Sequence, residues 1–177
     1  MTTRHAHFES PVGPMFAVVT DDHLVRLSMR DQKHLPTALD TGTEDPGVAR
    51  DVRTQLEEYF SGERRAFDLN LQLRGTPFQL RVWTALSEIP YGEVVSYSEL
   101  ARRVDRPSSV RAVAMANARN PLMIIVPCHR VVGSNGSLTG YAGGLDVKRR
   151  LLEIEGLDVR SDNVVAEIAP STHAEAR

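Results

Sequence analysis

Ser96-Tyr97-Ser98-Glu99-Leu100-Ala101-Arg102-Arg103-Val104-Asp105-Arg106-Pro107-Ser108-Ser109-Val110-Arg111 reads as one short helix, a tight break, and the start of a second helix. Ser96 to Glu99 has the spacing of a capping box, in which the hydroxyl and the carboxylate satisfy each other's backbone N–H groups. Leu100 and Val104 follow on one face. Asp105-Arg106 breaks the helix, and Pro107 opens another that is expected to run to about Ala118. Two short helices joined by a tight turn outline a helix-turn-helix, although an ordinary αα-hairpin is the commoner source of that pattern. Arg102, Arg103, Arg106 and Arg111 cluster on the unit, which favours a role against nucleic acid.

Upstream, Thr76-Pro77-Phe78-Gln79 is another capping box with proline at the first helical position. Phe78, Val82, Ala85, Leu86 and Ile89 form the apolar stripe of that helix, and Pro90-Tyr91-Gly92 is a turn. Arg74-Gly75 reads as a linker. Before it, Met15 to Val19 and Leu24 to Leu27 are β-type runs separated by an Asp21-Asp22 turn, so a small antiparallel sheet is expected within 8–29. Gln32 to Gly47 reads as loop. Asp45 is expected to cap a helix, with Pro46 at its first position. Its apolar face is Val48, Val52, Leu56, Tyr59 and Phe60, and Gly62 ends it. Phe67 to Leu73 alternates like one more strand. The first part contains no catalytic constellation and reads as a support domain.

Downstream, the apolar run Leu122 to Val126 ends in Pro127-Cys128-His129-Arg130, and a loop with Gly133, Gly136, Gly140, Gly143 and Gly144 follows. A last helix is expected from near Asp146 to Gly156. The fold class is therefore α+β: a small N-terminal antiparallel sheet with a helix, then a mostly helical part containing the helix-turn-helix. Residues 1–74 form the first domain, 75–156 the second, and 157–177 a polar segment that reads as a mobile tail. No internal repeat is present.

Composition narrows the functional classes. The chain has 177 residues, 41% of them hydrophobic, and a mean hydropathy of -0.27, which describes an ordinary globular protein. No apolar run approaches the ~20 residues of a membrane helix. The N-terminus lacks the apolar core of a signal peptide, so a cytoplasmic location is expected. The net charge of -2 is unevenly spread. Residues 75–156 hold 10 Lys and Arg against 7 Asp and Glu, whereas residues 1–74 hold 9 against 12. A surplus that small is equally compatible with a solvated mixed-charge surface.

Cys128 is the only cysteine, so no internal disulfide exists. A lone cysteine after an apolar run is most often an inert core residue. Here a histidine and an arginine follow it directly, and a base with nearby positive charge favours the nucleophilic thiolate. Adjacent side chains on a strand face opposite ways, so a turn or a bridging water must connect Cys128 to His129. Glu155 lies in the last turn of its helix, where a carboxylate opposes the helix dipole. That placement suits a residue with a cationic or donor partner, and His129 is a candidate; simple exposure of Glu155 remains open. The glycine-rich loop lacks the Gly-Lys-Ser/Thr of a phosphate loop. One cysteine and six scattered histidines offer no metal-ligand spacing.

Asn120-Pro121-Leu122-Met123-Ile124-Ile125-Val126-Pro127-Cys128-His129-Arg130-Val131-Val132 resembles the active-site segment of the O6-alkylguanine-DNA alkyltransferase family. The resemblance extends upstream through Pro90-Tyr91-Gly92-Glu93-Val94-Val95-Ser96-Tyr97 and downstream through Gly140-Tyr141-Ala142-Gly143-Gly144 to Leu151-Leu152-Glu153-Ile154-Glu155-Gly156. It is strong over about 75–156; the first 74 residues are similar only in layout.

The resemblance implies direct reversal of damage in double-stranded DNA. O6-alkylguanine is flipped out of the helix and its alkyl group passes irreversibly to Cys128, one per molecule. It implies that His129 acts through water as base, that Glu155 orients His129, and that Asn120 braces the turn carrying the cysteine. Tyr97 and Met123 would line the pocket, Tyr141 would stack near the base, and the main chain at Cys128, Val131 and Ala142 would read its edge. Arg111 would fill the space of the extruded base, on a helix lying in the minor groove with Ser109 and Val110; Arg102, Arg103 and Arg106 would add positive charge. Val110 stands where a smaller residue is more usual, and Thr139 is in the loop over the pocket. No cofactor is implied. Zinc-binding relatives use cysteines in the N-terminal part, which has none here, so no metal is expected. A monomer is expected, with cooperativity on DNA left open. Two other readings compete: a non-catalytic module that binds alkylated DNA, and a cysteine hydrolase that would turn over.

Overall fold

A computed structural model describes residues 1–30, 32 and 41–165. The N-terminal sheet has four strands, β1 (Thr3–Phe8), β2 (Met15–Thr20), β3 (His23–Met29) and β4 (Thr43–Glu44), in the order β3-β2-β1-β4. β1, β2 and β3 pair antiparallel, with Ala6 opposite Ala17 and Ala17 opposite Leu27. Asp21 and Asp22 have φ of +46° and +64°, the paired positive angles of a tight hairpin turn whose twist matches its strands. β4 pairs parallel to β1, within a stretch expected to be loop.

The helix after the sheet starts later than its sequence signals. α1 spans Arg50–Phe60, with Ala49 rather than Asp45 at its N-cap. The Asp45 carboxylate instead accepts from the Gly47 N–H at 2.9 Å, closing a turn before the helix. Gly62, at φ +81°, ends α1 as expected. Phe67 to Leu73 is not a strand. It runs extended beside β3 and makes one bridge, Leu71 to Leu24, because only Asn70 and Gln72 hydrogen-bond to Leu24.

In the second half, α2 (Pro77–Ser87) carries the complete capping box: Thr76 Oγ1 accepts from Gln79 N at 3.2 Å, and Gln79 Oε1 accepts from Thr76 N at 2.9 Å. β5 (Val95–Ser96) leads into α3 (Tyr97–Arg103), and α4 (Val110–Ala118) follows after Asp105 at φ +57°. Only half of the second capping box forms. Ser96 Oγ accepts from Glu99 N at 3.0 Å, but the Glu99 carboxylate turns to Arg102 and Arg103 instead. Trp83 Nε1 donates to the carbonyl of Ala116 at 2.9 Å and fixes α2 against α4.

A 3₁₀ turn, Cys128–Arg130, precedes β6 (Val131–Val132), which pairs parallel with β5. α5 (Leu145–Ile154) ends at Gly156, φ +85°, where the Leu157 and Gly156 N–H groups return to the carbonyls of Leu152 and Glu153. The expected tail is ordered over its first part: β7 (Val159–Arg160) and β8 (Asn163–Val164) form a hairpin, and Val164 is buried with Val94, Val132, Leu138 and Leu152. Residues 166–177 lie outside the described residues.

One core runs through both halves. Ala17, Leu24 and Leu27 of the sheet, Leu56 and Tyr59 of α1, and Leu86, Leu100 and Leu122 of the second half belong to the same buried cluster. The backbone joins them as well. Leu27 N–H donates to Pro121 O at 2.8 Å and Met123 N–H to Leu27 O at 2.9 Å, so β3 is bridged directly to the segment that carries the cysteine. Among the described residues no helix is long and apolar enough to cross a membrane.

Candidate active site

The segment before Cys128 is a compact turn. Val126 N–H donates to Leu122 O at 2.8 Å, and Ile124 sits at φ +72°, an uncommon conformation for a β-branched residue. Asn120 holds the turn from inside. Its Nδ2 donates to Val126 O at 2.7 Å and to Leu122 O at 3.4 Å, while its Oδ1 accepts from Leu122 N at 3.0 Å. Pro127 ends the apolar run, and the 3₁₀ turn then redirects three consecutive side chains into the interior. Cys128 is 4% exposed, His129 0% and Arg130 7%.

Glu155 is buried, and its two oxygens accept five hydrogen bonds. Oε1 accepts from His129 Nε2 at 2.7 Å, Tyr59 Oη at 2.7 Å and Arg130 Nη2 at 2.9 Å. Oε2 accepts from Arg130 Nε at 2.9 Å and the Gly92 N–H at 3.1 Å. Burial alone would raise the carboxyl pKa, but the His129 and Arg130 hydrogen bonds and charges outweigh it and hold the group well below the usual carboxylate range. The unfavourable end-of-helix position is thus compensated several times over. Burial pushes the His129 imidazole below its ordinary value, with Glu155 opposing the shift, so the ring is a neutral base at neutral pH. A Nε2–H donated to Glu155 leaves Nδ1 as the free lone pair; Nδ1 is buried and has no hydrogen-bond partner among the described residues.

Burial raises the Cys128 thiol pKa, while Asn120, Lys148 and Tyr141 favour its thiolate. Lys148 is fully buried on α5. Its ammonium donates to the carbonyls of Val131, Thr139 (3.0 Å) and Gly140 (3.4 Å) and lies 5.8 Å from the centre of the Tyr97 ring. Burial lowers the Lys148 pKa to about 8, and Cys128 pulls it upward. Burial raises the Tyr97 pKa to about 12, with Cys128 adding to the rise; its hydroxyl donates to Thr139 O at 3.0 Å.

A cavity of about 890 Å³ opens between α4 and the glycine-rich loop, lined by Tyr97, Val110, Arg111, Thr139, Tyr141 and Ala142 among others. Its lining is mainly apolar, apart from the exposed Arg111 at the start of α4 and the polar groups of Tyr97, Thr139 and Tyr141. The arrangement unites a buried thiol, a neutral base anchored on a carboxylate, and an adjoining cavity large enough for a planar heterocycle.

Most residues singled out in the sequence meet here: Cys128, His129, Glu155 and Asn120 in one cluster, and Tyr97, Tyr141, Ala142, Arg111 and Val110 around the cavity. Met123 does not line it. It is 1% exposed and packs behind the loop, its Cε facing Gly143. Val131 is buried, and its carbonyl is taken by Lys148. Arg102 and Arg103 both pair with the buried Glu99, at 2.5 and 3.1 Å, so two of the four clustered arginines are partly neutralised. Arg106 is exposed, and Ser109 is the α4 N-cap without a side-chain bond. Four participants escaped the sequence reading: Tyr59, Gly92, Lys148, and Arg130 as a partner of Glu155. Among the described residues no group of three or more His, Cys, Asp or Glu could hold a metal ion.

The fold thus sets a pair of short helices, α3 and α4, beside a buried cluster of Cys128, His129 and Glu155. The chain belongs to the 6-O-methylguanine DNA methyltransferase family: the model of that family's DNA binding domain matches residues 77–157, and that of its ribonuclease-like domain matches residues 3–73. A relative from Methanosarcina acetivorans, a methylated-DNA–protein-cysteine methyltransferase, is 47% identical over 152 residues, covering 86% of this chain and 97% of its own. The protein of the same name from Mycobacterium tuberculosis is 49% identical over 147 residues, covering 83% and 88%. Among solved structures, Mycobacterium tuberculosis OGT in complex with DNA superposes with a TM-score of 0.81 at 47% identity, covering 86% of this chain and 92% of its own.

Proposed function

We propose that this chain repairs O6-alkylguanine in double-stranded DNA by moving the alkyl group irreversibly onto Cys128 Sγ, once per molecule. The observation that carries the reading is the hydrogen-bonded pair His129–Glu155, next in sequence to the only thiol of a chain whose relatives are named for methyl transfer from DNA to protein cysteine.

The alkyl carbon on O6 lies inside the duplex, so the nucleotide must leave the stack before reaction. The cavity between α4 and the loop receives it, and Arg111 takes its place in the helix. Tyr141, Ala142 and the main chain near Cys128 surround the base. The His129 Nδ1 lone pair accepts the thiol proton through a water molecule, and Glu155 stabilises the imidazolium that forms. The thiolate attacks the alkyl carbon, a C–S bond forms, and the C–O6 bond breaks. The guanine takes a proton from the Tyr97 hydroxyl as it departs, and Tyr97 regains one from the His129 imidazolium through water, so that both groups end as they began. Thiol plus alkylguanine becomes thioether plus guanine. No residue in the site can cleave a thioether, which is why each molecule reacts once.

The test is the intact mass of the protein after incubation with duplex DNA containing one O6-methylguanine, followed by peptide mapping. A gain of one methylene on the Cys128 peptide, saturating at one per molecule, is expected. Unchanged mass with lesion DNA still bound would instead identify a binding module, and unchanged mass with repeated loss of the methyl group a hydrolase.

A further inference from the structure

Among the described residues, the hydroxyl of Tyr59 is the one side-chain hydrogen bond to Glu155 from the N-terminal half. It comes from α1, 96 residues away in sequence, and is 2.7 Å from Oε1, the same oxygen that accepts from His129. We propose that Tyr59 is a positioning residue for alkyl transfer: its hydrogen bond sets the basicity of Glu155 and through it the protonation of His129. The proposal rests on the reading of His129 as the base for Cys128.

The geometry is that of a built contact. Tyr59 is fully buried, and its ring packs edge-on against Tyr91 and Phe60 and tilted against Phe67. A tyrosine that only filled the core would need no hydroxyl there, because phenylalanine packs the same volume without a polar group to satisfy. The N-terminal half already joins the cysteine-bearing segment through the backbone pairing of Leu27 with Leu122. Tyr59 adds a second junction, directly on the catalytic cluster.

The sign of the effect follows from the groups around the carboxylate. Glu155 faces Tyr59 from α1, the Gly92 N–H from the turn after α2, and His129 and Arg130 from the 3₁₀ turn. Tyr91 stands nearby, with the guanidinium groups of Arg65 and Arg130 at 5.4 and 5.9 Å from its ring centre. Lys148 acts on His129 from α5 and opposes its protonation, as Arg130 does. Without the Tyr59 donor, the carboxylate charge is less dispersed and attracts a proton on His129 more strongly. The imidazole pKa rises, and a smaller fraction is available as base on the acid side.

Single-turnover methyl transfer by the full chain, measured from pH 5 to 9 on duplex DNA with O6-methylguanine, tests this. In Tyr59→Phe the acid limb is expected to move up by about one pH unit, a loss of roughly tenfold at a fixed pH on that limb, with rates converging at high pH. Val52→Ala, which weakens the same helix without touching Glu155, should leave the limb in place. Coincident limbs for Tyr59→Phe and wild type, or an equal shift in Val52→Ala, would overturn the proposal. Absence of transfer in the wild type would overturn the underlying reading instead. If Tyr59→Phe does not fold, the wild type still decides: the Tyr59 hydroxyl proton should exchange slowly and resonate downfield, and rapid exchange with water would overturn the proposal.

Discussion

The buried ammonium of Lys148 donates to the carbonyl oxygen of Thr139 at 3.0 Å, tying α5 to the loop over the cavity. The same group bonds the Val131 carbonyl in β6 and favours the Cys128 thiolate. Lys148→Met keeps an unbranched side chain that reaches as far as the lysine Cε and removes the terminal ammonium with its charge and donors. Burial already raises the thiol pKa, so losing a compensating cation should raise it further. The pH of half-maximal Cys128 alkylation by iodoacetamide is expected to climb by about one unit. An unchanged midpoint would reduce Lys148 to a strut for the loop.

Acid should unfold the protein in two stages, and the sign can be worked out for each. His129 is held below its ordinary 6.5, so the unfolded chain binds its proton first and stability falls as pH drops below about 6.5. Glu155 is held well below its ordinary 4.5. Its contribution is complete above about 4.5 and is lost as pH falls toward the folded value. Glu155→Gln leaves the buried Arg130 guanidinium without its counter-charge, at a cost of about 3–5 kcal/mol. That corresponds to a melting point lower by about 10 °C at pH 7. The variant should also lose the lower of the two acid stages, which thermal melts from pH 3 to 8 would show directly.

Asn120 satisfies three backbone groups of the turn that holds Ile124 at φ +72°. Asn120→Ala leaves the Leu122 N–H buried and unpaired and takes from the Val126 carbonyl one of its two donors, the Cys128 N–H remaining, which should cost about 1–3 kcal/mol in chemical denaturation. It also removes a donor that favours the Cys128 thiolate. Methyl transfer is therefore expected to slow at temperatures where the variant is fully folded. Normal rates in folded Asn120→Ala would confine the residue to stability.

Features written in short-range chemistry were legible in the sequence. The Thr76–Gln79 box, the Asp21-Asp22 turn and the Gly156 stop each depend on residues within a few positions of one another. Thr3–Phe8 went unseen because its inward face begins with Arg4 and offers only Ala6 and Phe8 as apolar positions, too few to stand out as a strand. Phe67 to Leu73 has that alternation without a ladder to join. Within the site, Cys128, His129 and Glu155 were recognisable as a set. Met123 was misplaced because a residue's position along an apolar run does not say which side of a folded loop it faces. The partners of Glu155 were hidden for a related reason. Tyr59 and Gly92 lie 96 and 63 positions away and meet the carboxylate only through tertiary packing.

Arg111 stands at the mouth of the cavity, exposed, on the first turn of α4. It touches none of Cys128, His129 or Glu155, so it has no evident part in the thiol chemistry. Its position suits a group that enters the duplex when the damaged nucleotide leaves. Replacement by alanine should then penalise only substrates that must be extruded. With duplex DNA, Arg111→Ala is expected to lower the second-order rate of methyl transfer by about tenfold or more, while the rate with the free O6-methylguanine base stays close to wild type. Raising salt should weaken duplex binding in both proteins, with a shallower slope in the variant, since one fewer cation displaces counterions. Equal losses on duplex and free base would show that Arg111 shapes the cavity rather than replacing the base.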